Sequence, residues 1–313
     1  MGKILKKEDY NRFLNNLKNK YELIAPVKVG DIVRYEIVND INEICLDKQP
    51  FYSIKKFFLP RTEELFDFQE RRKFGLFRRQ KKRVIFGLRK CDANSLLVMD
   101  ELFLEGYIDA SYKERRDNTI LITVPCKTPE PNCFCESMNL KDYYDLKFTD
   151  IGDSYYIDID SDRGRSLVHR FKNHELKIND EAGCKRKLNK HELRQFFENK
   201  IWNKEAEKCL SCCMCTTHCP TCTCFDIKDS IEINLKDGTR YRIEDSCQLK
   251  SFTRVSGNHV FREPRYARLR HRIFHKLQYF REKYKIDMCV GCGRCISICP
   301  TKIDMVDIVN KLK

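Results

Sequence analysis

The residues best suited to chemistry are cysteines, and their spacing repeats. Cys209, Cys212, Cys215 and Cys219, closed by Pro220, follow the pattern C-x2-C-x2-C-x3-C-P. Cys289, Cys292, Cys295 and Cys299, closed by Pro300, follow it again. Three thiolates on one tight turn can clasp three irons of a cubane, while the fourth, further along, points toward a neighbouring group. The spacing therefore assigns Cys209, Cys212, Cys215 and Cys299 to one [4Fe–4S] cluster. It assigns Cys289, Cys292, Cys295 and Cys219 to a second. Zinc also takes C-x2-C pairs, but two complete copies with a closing proline favour iron–sulfur chemistry. The long segment between the copies points to a helical two-cluster module rather than a compact ferredoxin.

Cys91, Cys126, Cys133 and Cys135 form a separate group in the first half of the chain. Cys91 lies just past the carboxyl end of a strand read at 83–88, and Cys126 just past that of a strand read at 119–124. Parallel strands bring both ends to one sheet edge, where α/β proteins build their sites. Cys133 and Cys135 join from a loop spaced by Pro125, Pro129 and Pro131. The four are read as ligands of a third [4Fe–4S] cluster, with structural zinc or unligated thiols as alternatives. Cys222, Cys224 and Cys247 are secondary ligand candidates, one thiol short of a full set. Cys45, Cys184 and Cys213 are read as ordinary side chains, Cys213 standing where the second copy has Gly293. His218, inside the first run, is read as a hydrogen-bonding neighbour of a cluster and not as a ligand.

The elements that must position these residues read as α+β. An N-terminal α/β domain (1–190) precedes a helical two-cluster, ferredoxin-like domain (191–313). Tyr10, Phe13, Leu14 and Leu17 recur at helical spacing over 8–20. Strands are read at 21–29 and 31–38, hinged at Gly30, and Pro26 makes the first of them an edge strand. The continuous apolar runs at 83–88 and 119–124 mark strands buried on both faces. With a helix over 94–104 between them, they are expected to be parallel and joined by a right-handed crossover. Tyr155, Tyr156 and Ile157 sit in a further hairpin. Helices over 193–208 and 264–284 lead into the two cysteine runs, and Lys236-Asp237-Gly238 turns a hairpin between them.

The chain has 313 residues, 18 of them cysteine, and a formal net charge of +14. No apolar run approaches the roughly 20 residues of a membrane span. The first residues have no signal-peptide apolar core and carry Lys6 where a myristoylation signal needs Ser or Thr. A cytoplasmic protein with reduced thiols is expected. Each four-thiolate cluster adds a charge of about −2, which leaves a basic chain suited to acidic partners. The basic, aromatic-laced stretch at 265–285 makes an iron–sulfur nucleic-acid-binding protein the alternative class. Leu269, Ile273, Leu277 and Phe280 explain that helix as a buried stripe without another ligand. Its charges are then solvated or face the clusters, and nucleic-acid binding is disfavoured. The basic run at 71–73 and 78–83 is read as a solvated loop. No glycine-rich phosphate loop occurs, and no catalytic set stands out.

Several segments together resemble a known family. They are Gly87-Leu88-Arg89-Lys90-Cys91-Asp92, Cys133-Phe134-Cys135, Cys219-Pro-Thr-Cys222, Asp245-Ser246-Cys247-Gln248, Gly257-Asn258-His259-Val260-Phe261-Arg262 and Cys289-Val-Gly-Cys292-Gly-Arg-Cys295. In content and order, from about residue 20 to the end, the chain resembles the iron–sulfur (A) subunit of anaerobic sulfite reductase and the related β subunit of soluble sulfhydrogenases. The resemblance implies a non-catalytic electron relay. It would join a flavoprotein that accepts reducing equivalents from a nicotinamide to a catalytic subunit, either a sirohaem sulfite reductase or a nickel–iron hydrogenase. The short tail after Cys299 leans toward the sulfite reductase branch. Cys213, where a glycine is usual, is the clearest departure and bears on the first cluster's potential.

Overall fold

The structure, a computed structural model, describes residues 2–69, 72–75, 81–178 and 183–313. The first part of the chain runs β1 (Gly2–Lys6), α1 (Lys7–Lys20), β2 (Glu22–Val29), β3 (Ile32–Ile37), β4 (Thr62–Gln69), β5 (Arg72–Gly75) and β6 (Arg83–Leu88). It continues through α2 (Lys90–Phe103), α3 (Ala110–Asp117), β7 (Thr119–Thr123), β8 (Leu146–Asp150), β9 (Ser154–Ile159), α4 (Asp162–Val168) and β10 (Lys172–His174). Eight of these strands form one sheet in the order β10-β1-β9-β8-β7-β6-β2-β3. Its centre, β2-β6-β7-β8, is parallel, and antiparallel strands flank it on both sides.

Every residue of β6 and β7 is buried, as their unbroken apolar runs require. Alternate residues serve opposite faces. Val84, Phe86, Ile120 and Ile122 pack under α1 and α4 with Phe13, Leu14, Leu17 and Val168. Ile85, Leu88 and Leu121 pack on the other face under α2 and α3 with Leu96, Met99, Phe103 and Tyr112. Each fully buried side chain of this kind contributes about 1.5–3 kcal/mol. The parallel pairing of β6 and β7 with α2 between them agrees with the sequence reading. So does the β8–β9 hairpin.

Two expectations are corrected. Strand β2 is internal, paired with β3 on one side and β6 on the other, and it tolerates Pro26 because its ladder to β6 stops at Ile24. Beyond that point the Pro26 carbonyl accepts from Cys45 N at 2.8 Å, so no ladder bond is asked of the missing proline N–H. Helix α2 begins at Lys90 instead of residue 94, which places Cys91 in its first turn. In the basic run, Arg71, Arg78, Arg79 and Gln80 lie outside the described residues. Arg83 is no solvated-loop residue: it is buried at the start of β6 and donates to the carbonyls of Phe57 at 2.9 Å and Arg115 at 3.2 Å. Burial pulls its pKa down to about 10.

The second part contains α5 (Ile201–Glu207), α6 (Met214–Thr217), β11 (Phe225–Ile231), β12 (Gly238–Glu244), α7 (Arg265–Phe274), α8 (Phe280–Tyr284), α9 (Arg294–Ser297) and α10 (Met305–Asn310). Helix α7 continues into α8 through a π-turn at His275–Tyr279. The helix expected over 193–208 is instead a short turn at Leu193–Phe196 followed by α5, whose Ile201 N–H donates to Asn199 Oδ1 at 2.9 Å. Leu269, Ile273 and Leu277 form the expected buried stripe, against Trp202, Ile296 and Ile308; Phe280 continues it against Val98 and Met288.

Strands β11 and β12 are the hairpin expected around Gly238, and they join β4 and β5 in a second sheet, β11-β12-β4-β5. That sheet takes strands from both sides of residue 190. A buried ionic group ties it to the α/β layer. Glu63 on β4 accepts from Arg242 Nε on β12 at 3.0 Å and from Arg115 on α3, and Asp109 accepts from Arg242 at 2.5 Å. Glu63→Ala would leave two guanidinium groups buried without this carboxylate. The expected loss is about 3–5 kcal/mol, measured by anaerobic urea unfolding. A loss under about 1 kcal/mol would contradict this role for the buried pair.

Candidate metal centres

The two cysteine runs fold alike, residue for residue. Ser211 and Gly291 both take positive φ, 53° and 66°, and so do Cys213 and Gly293, at 66° and 71°. Each run then enters a one-turn helix, α6 or α9. The N–H of Ser211 lies 3.4 Å from Cys209 Sγ, and the N–H of Gly291 lies 3.4 Å from Cys289 Sγ. Past each fourth cysteine a threonine hydroxyl meets the sulfur, Thr221 at 3.4 Å from Cys219 and Thr301 at 3.6 Å from Cys299. Hydrogen bonds of this kind stabilise thiolate charge.

The copies pack against each other. A cavity of about 50 Å³ is lined by Cys209, Cys212 and Cys215 of the first copy and by Cys295 and Cys299 of the second. Cys219, by contrast, lies within electrostatic reach of Cys289, Cys292 and Cys295. Burial pushes the Cys215 and Cys292 thiols up to about 12. Metal uptake here must therefore displace protons. The donor chemistry fits a soft, anionic centre, because buried cations accompany the thiols. Burial opposes the Lys276 ammonium, but the nearby sulfurs of Cys219 and Cys222 outweigh it and keep it charged. Buried Arg272 has an Nε with no partner.

The third group also converges. Cys91, Cys126, Cys133 and Cys135 line one cavity of about 230 Å³ at the carboxyl edge of β6 and β7, beside Tyr143 and Tyr144. Arg89 fixes that edge by donating to Pro125 O at 2.8 Å and to Leu46 O. Burial raises the Cys133 thiol to about 12. Among the described residues, no three His, Cys, Asp or Glu side chains are grouped as a single metal ion requires. A tetrahedral zinc with Zn–S of about 2.3 Å would need its sulfurs about 3.8 Å apart.

This cavity abuts the second cysteine run. Phe134 N donates to Gly291 O at 2.8 Å, Cys133 Sγ lies 3.6 Å from Cys292 O, and Asn132 Nδ2 bonds Ser297 Oγ at 3.0 Å. The approach is so close that a Cβ on Gly291 would stand 2.5 Å from Cys135 Cα, and one on Gly293 2.5 Å from Asn132 C. Both positions need positive φ as well, so glycine is required twice over. Arg294 in the second run forms a buried two-pronged pair with Asp92 of α2, at 2.7 and 2.8 Å, and donates to Pro50 O at 2.9 Å.

Sequence reasoning missed some of these residues. Cys184, read as ordinary, has its sulfur 3.5 Å from that of Cys135; its distance along the chain hid it. Asp92 and Arg294 were quoted only as parts of motifs, although a buried carboxylate facing a buried guanidinium is a fold-level partnership. The secondary candidates fall in pairs, Cys222 touching Cys219 and Cys224 touching Cys247. Cys213 turns its sulfur toward Ser211 O at 3.4 Å. His218 is buried, stacks on Tyr52 at 4.6 Å and bonds Met214 O through Nδ1 at 3.0 Å. Three charges of the basic helix, Arg268, Arg272 and Lys276, are buried. Among the described residues no helix is long and apolar enough to cross a membrane.

Comparison with known proteins bears on the same stretch. A family model described as a 4Fe-4S dicluster domain matches residues 208–303. The chain is thus an iron–sulfur protein with a two-cluster [4Fe–4S] module. It is also 31% identical over 332 positions to sulfhydrogenase 2 subunit beta of Pyrococcus furiosus, covering 99% of this chain and 97% of the relative. The chain belongs to the sulfhydrogenase β-subunit family, and it is an iron–sulfur electron-transfer subunit. No solved structure matches it.

The glycine geometry gives a test. Gly293→Ala adds a Cβ against the Asn132 backbone at positive φ and is expected to lower stability by about 2–4 kcal/mol. Cys213→Ala, at the matching position that already carries a side chain, is expected to change stability by less than about 1 kcal/mol and to leave iron content intact. Anaerobic denaturation and iron assay read both, and equal sensitivity would contradict the close contact.

Proposed function

We propose that this chain relays electrons through three [4Fe–4S] sites between a nicotinamide-linked flavoprotein subunit and a catalytic subunit. The ligands are Cys209, Cys212, Cys215 and Cys299 for one site, and Cys289, Cys292, Cys295 and Cys219 for the next. Cys91, Cys126, Cys133 and Cys135 hold the third, with Cys184 beside them; Cys222, Cys224 and Cys247 line the first two. The observation that carries the reading is continuity. Loop 132–135 packs on the second cysteine run, and the second run shares a cavity with the first, whose Cys212 is exposed.

A bound cluster supplies one-electron exchange without making or breaking bonds in a substrate. The chain's own residues supply spacing, burial and hydrogen bonds to the sulfurs, all of which set potential. The chain itself is not the catalytic centre in this reading. In this reading the α/β domain (1–190) carries the third site and the helical domain (191–313) the other two, with the second sheet bridging them, in a cytoplasmic setting. The sequence leaned toward a sirohaem sulfite reductase as the catalytic partner. Likeness over nearly the whole chain to a sulfhydrogenase β subunit supports a nickel–iron hydrogenase instead.

Native co-purification with cofactor analysis tests the relay. Flavin with nickel is expected; flavin with sirohaem would select the sulfite reductase branch, and a chain that brings down neither flavin nor a metalloenzyme would refute the relay. The anaerobically purified chain is expected to hold about 12 Fe, and Cys126→Ser about 8, at four per cubane. Stoichiometric zinc without sulfide would refute the ligand sets.

A further inference from the structure

Arg268, Arg272 and Lys276 recur every fourth residue along α7 and the π-turn and are all buried. Arg268 is satisfied by carbonyl oxygens, among them Gln248 O at 2.9 Å and Arg262 O at 3.1 Å. The other two differ. Arg272 donates to Cys215 O in the first cysteine run at 2.9 Å and reaches the Cys295 thiol in the second, while its Nε has no partner. Lys276 Nζ donates to Thr221 Oγ1 at 2.7 Å, and that hydroxyl lies 3.4 Å from Cys219 Sγ. Its backbone carbonyl accepts from Met288 N at 2.9 Å, directly before Cys289.

Among the described residues, neither cation is paired with a carboxylate. Arg294 and Lys55, buried cations that also stand near these thiols, have Asp92 and Glu244 for that purpose. A buried charge costs several kcal/mol unless an opposite charge stands close by. The groups within reach of Arg272 and Lys276 are thiols of both runs. A π-turn, a form that recurs at functional sites, carries Lys276 at this point.

We infer that Arg272 and Lys276 are positioning charges set between the two cluster sites of the dicluster module, where they favour the reduced state of each site and allow both to be reduced together. The inference rests on the reading of the eight repeat cysteines as iron ligands. Reduction adds one electron, and so one negative charge, to a site whose thiolates are already anionic. A fixed positive charge at close range in a poorly screening interior offsets that addition. Because both cations touch the boundary between the runs, each also screens one reduced site from the other.

Lys276→Met and Lys276→Gln remove the charge, the second keeping a hydrogen-bond donor for Thr221; Lys276→Arg restores it. Mediated redox titration followed by low-temperature EPR reads the midpoint potentials in the whole chain. Each neutral variant is expected to shift the reduction equilibrium at least tenfold toward the oxidised state, which is about 59 mV for one electron. The arginine variant is expected to stay near the parent. An unchanged midpoint in an iron-replete neutral variant would overturn the inference. So would failure of both neutral variants to load iron, which would make Lys276 an assembly residue. Absence of any EPR signal in the parent chain would instead refute the ligand reading beneath it.

Discussion

Sulfur atoms crowded together away from water, which must become anions to bind metal, govern the rest of this structure. A thiolate leaves water only if hydrogen-bond donors or positive charge replace its solvent. Each cysteine run meets that demand locally, with a left-handed turn that brings a backbone N–H to the first sulfur and a threonine hydroxyl to the fourth. Beyond the turns, the long helix of the second part lays Arg272 and Lys276 between the runs, and Arg294 stands beside Cys91 and Cys292 while anchored by Asp92. The fold is arranged so that buried cations and buried thiols arrive together.

The three-layer part has a second task besides its own core. A parallel sheet leaves its strand ends at one edge, and here that edge holds Cys91 and Cys126 at the mouth of a cavity. The loop that completes the group, at 132–135, is also the surface on which the second cysteine run packs, through Gly291 and Gly293. In the proposed relay one loop would serve two sites. Electron transfer between neighbouring centres benefits from such contact, since no separate linker has to order before they approach.

Local signals were legible and distant ones were not. The cysteine repeat is a matter of a dozen residues, and its two copies take the same backbone course. Strands β6 and β7 were readable because burial on both faces removes polar alternation. Pro26 misled, since a proline excludes a ladder bond only on the side its nitrogen faces, and there the ladder of β2 to β6 stops two residues earlier. The second sheet joins β4 to β12 across about half the chain, a pairing that no periodicity encodes. Cys184 escaped for the same reason, and whether the cations of the basic helix are solvated or face the thiols stayed open because composition does not say what a helix is packed against.

The most direct measurement is the number of electrons the chain accepts. Under strict anaerobiosis, stoichiometric titration with dithionite, followed by bleaching of the visible absorption and by low-temperature EPR, counts them. Three sites of the proposed kind take up about three electrons per chain, one for each cubane. Uptake of fewer than two, or a colourless chain with zinc on its cysteines, would contradict the electron-relay reading altogether.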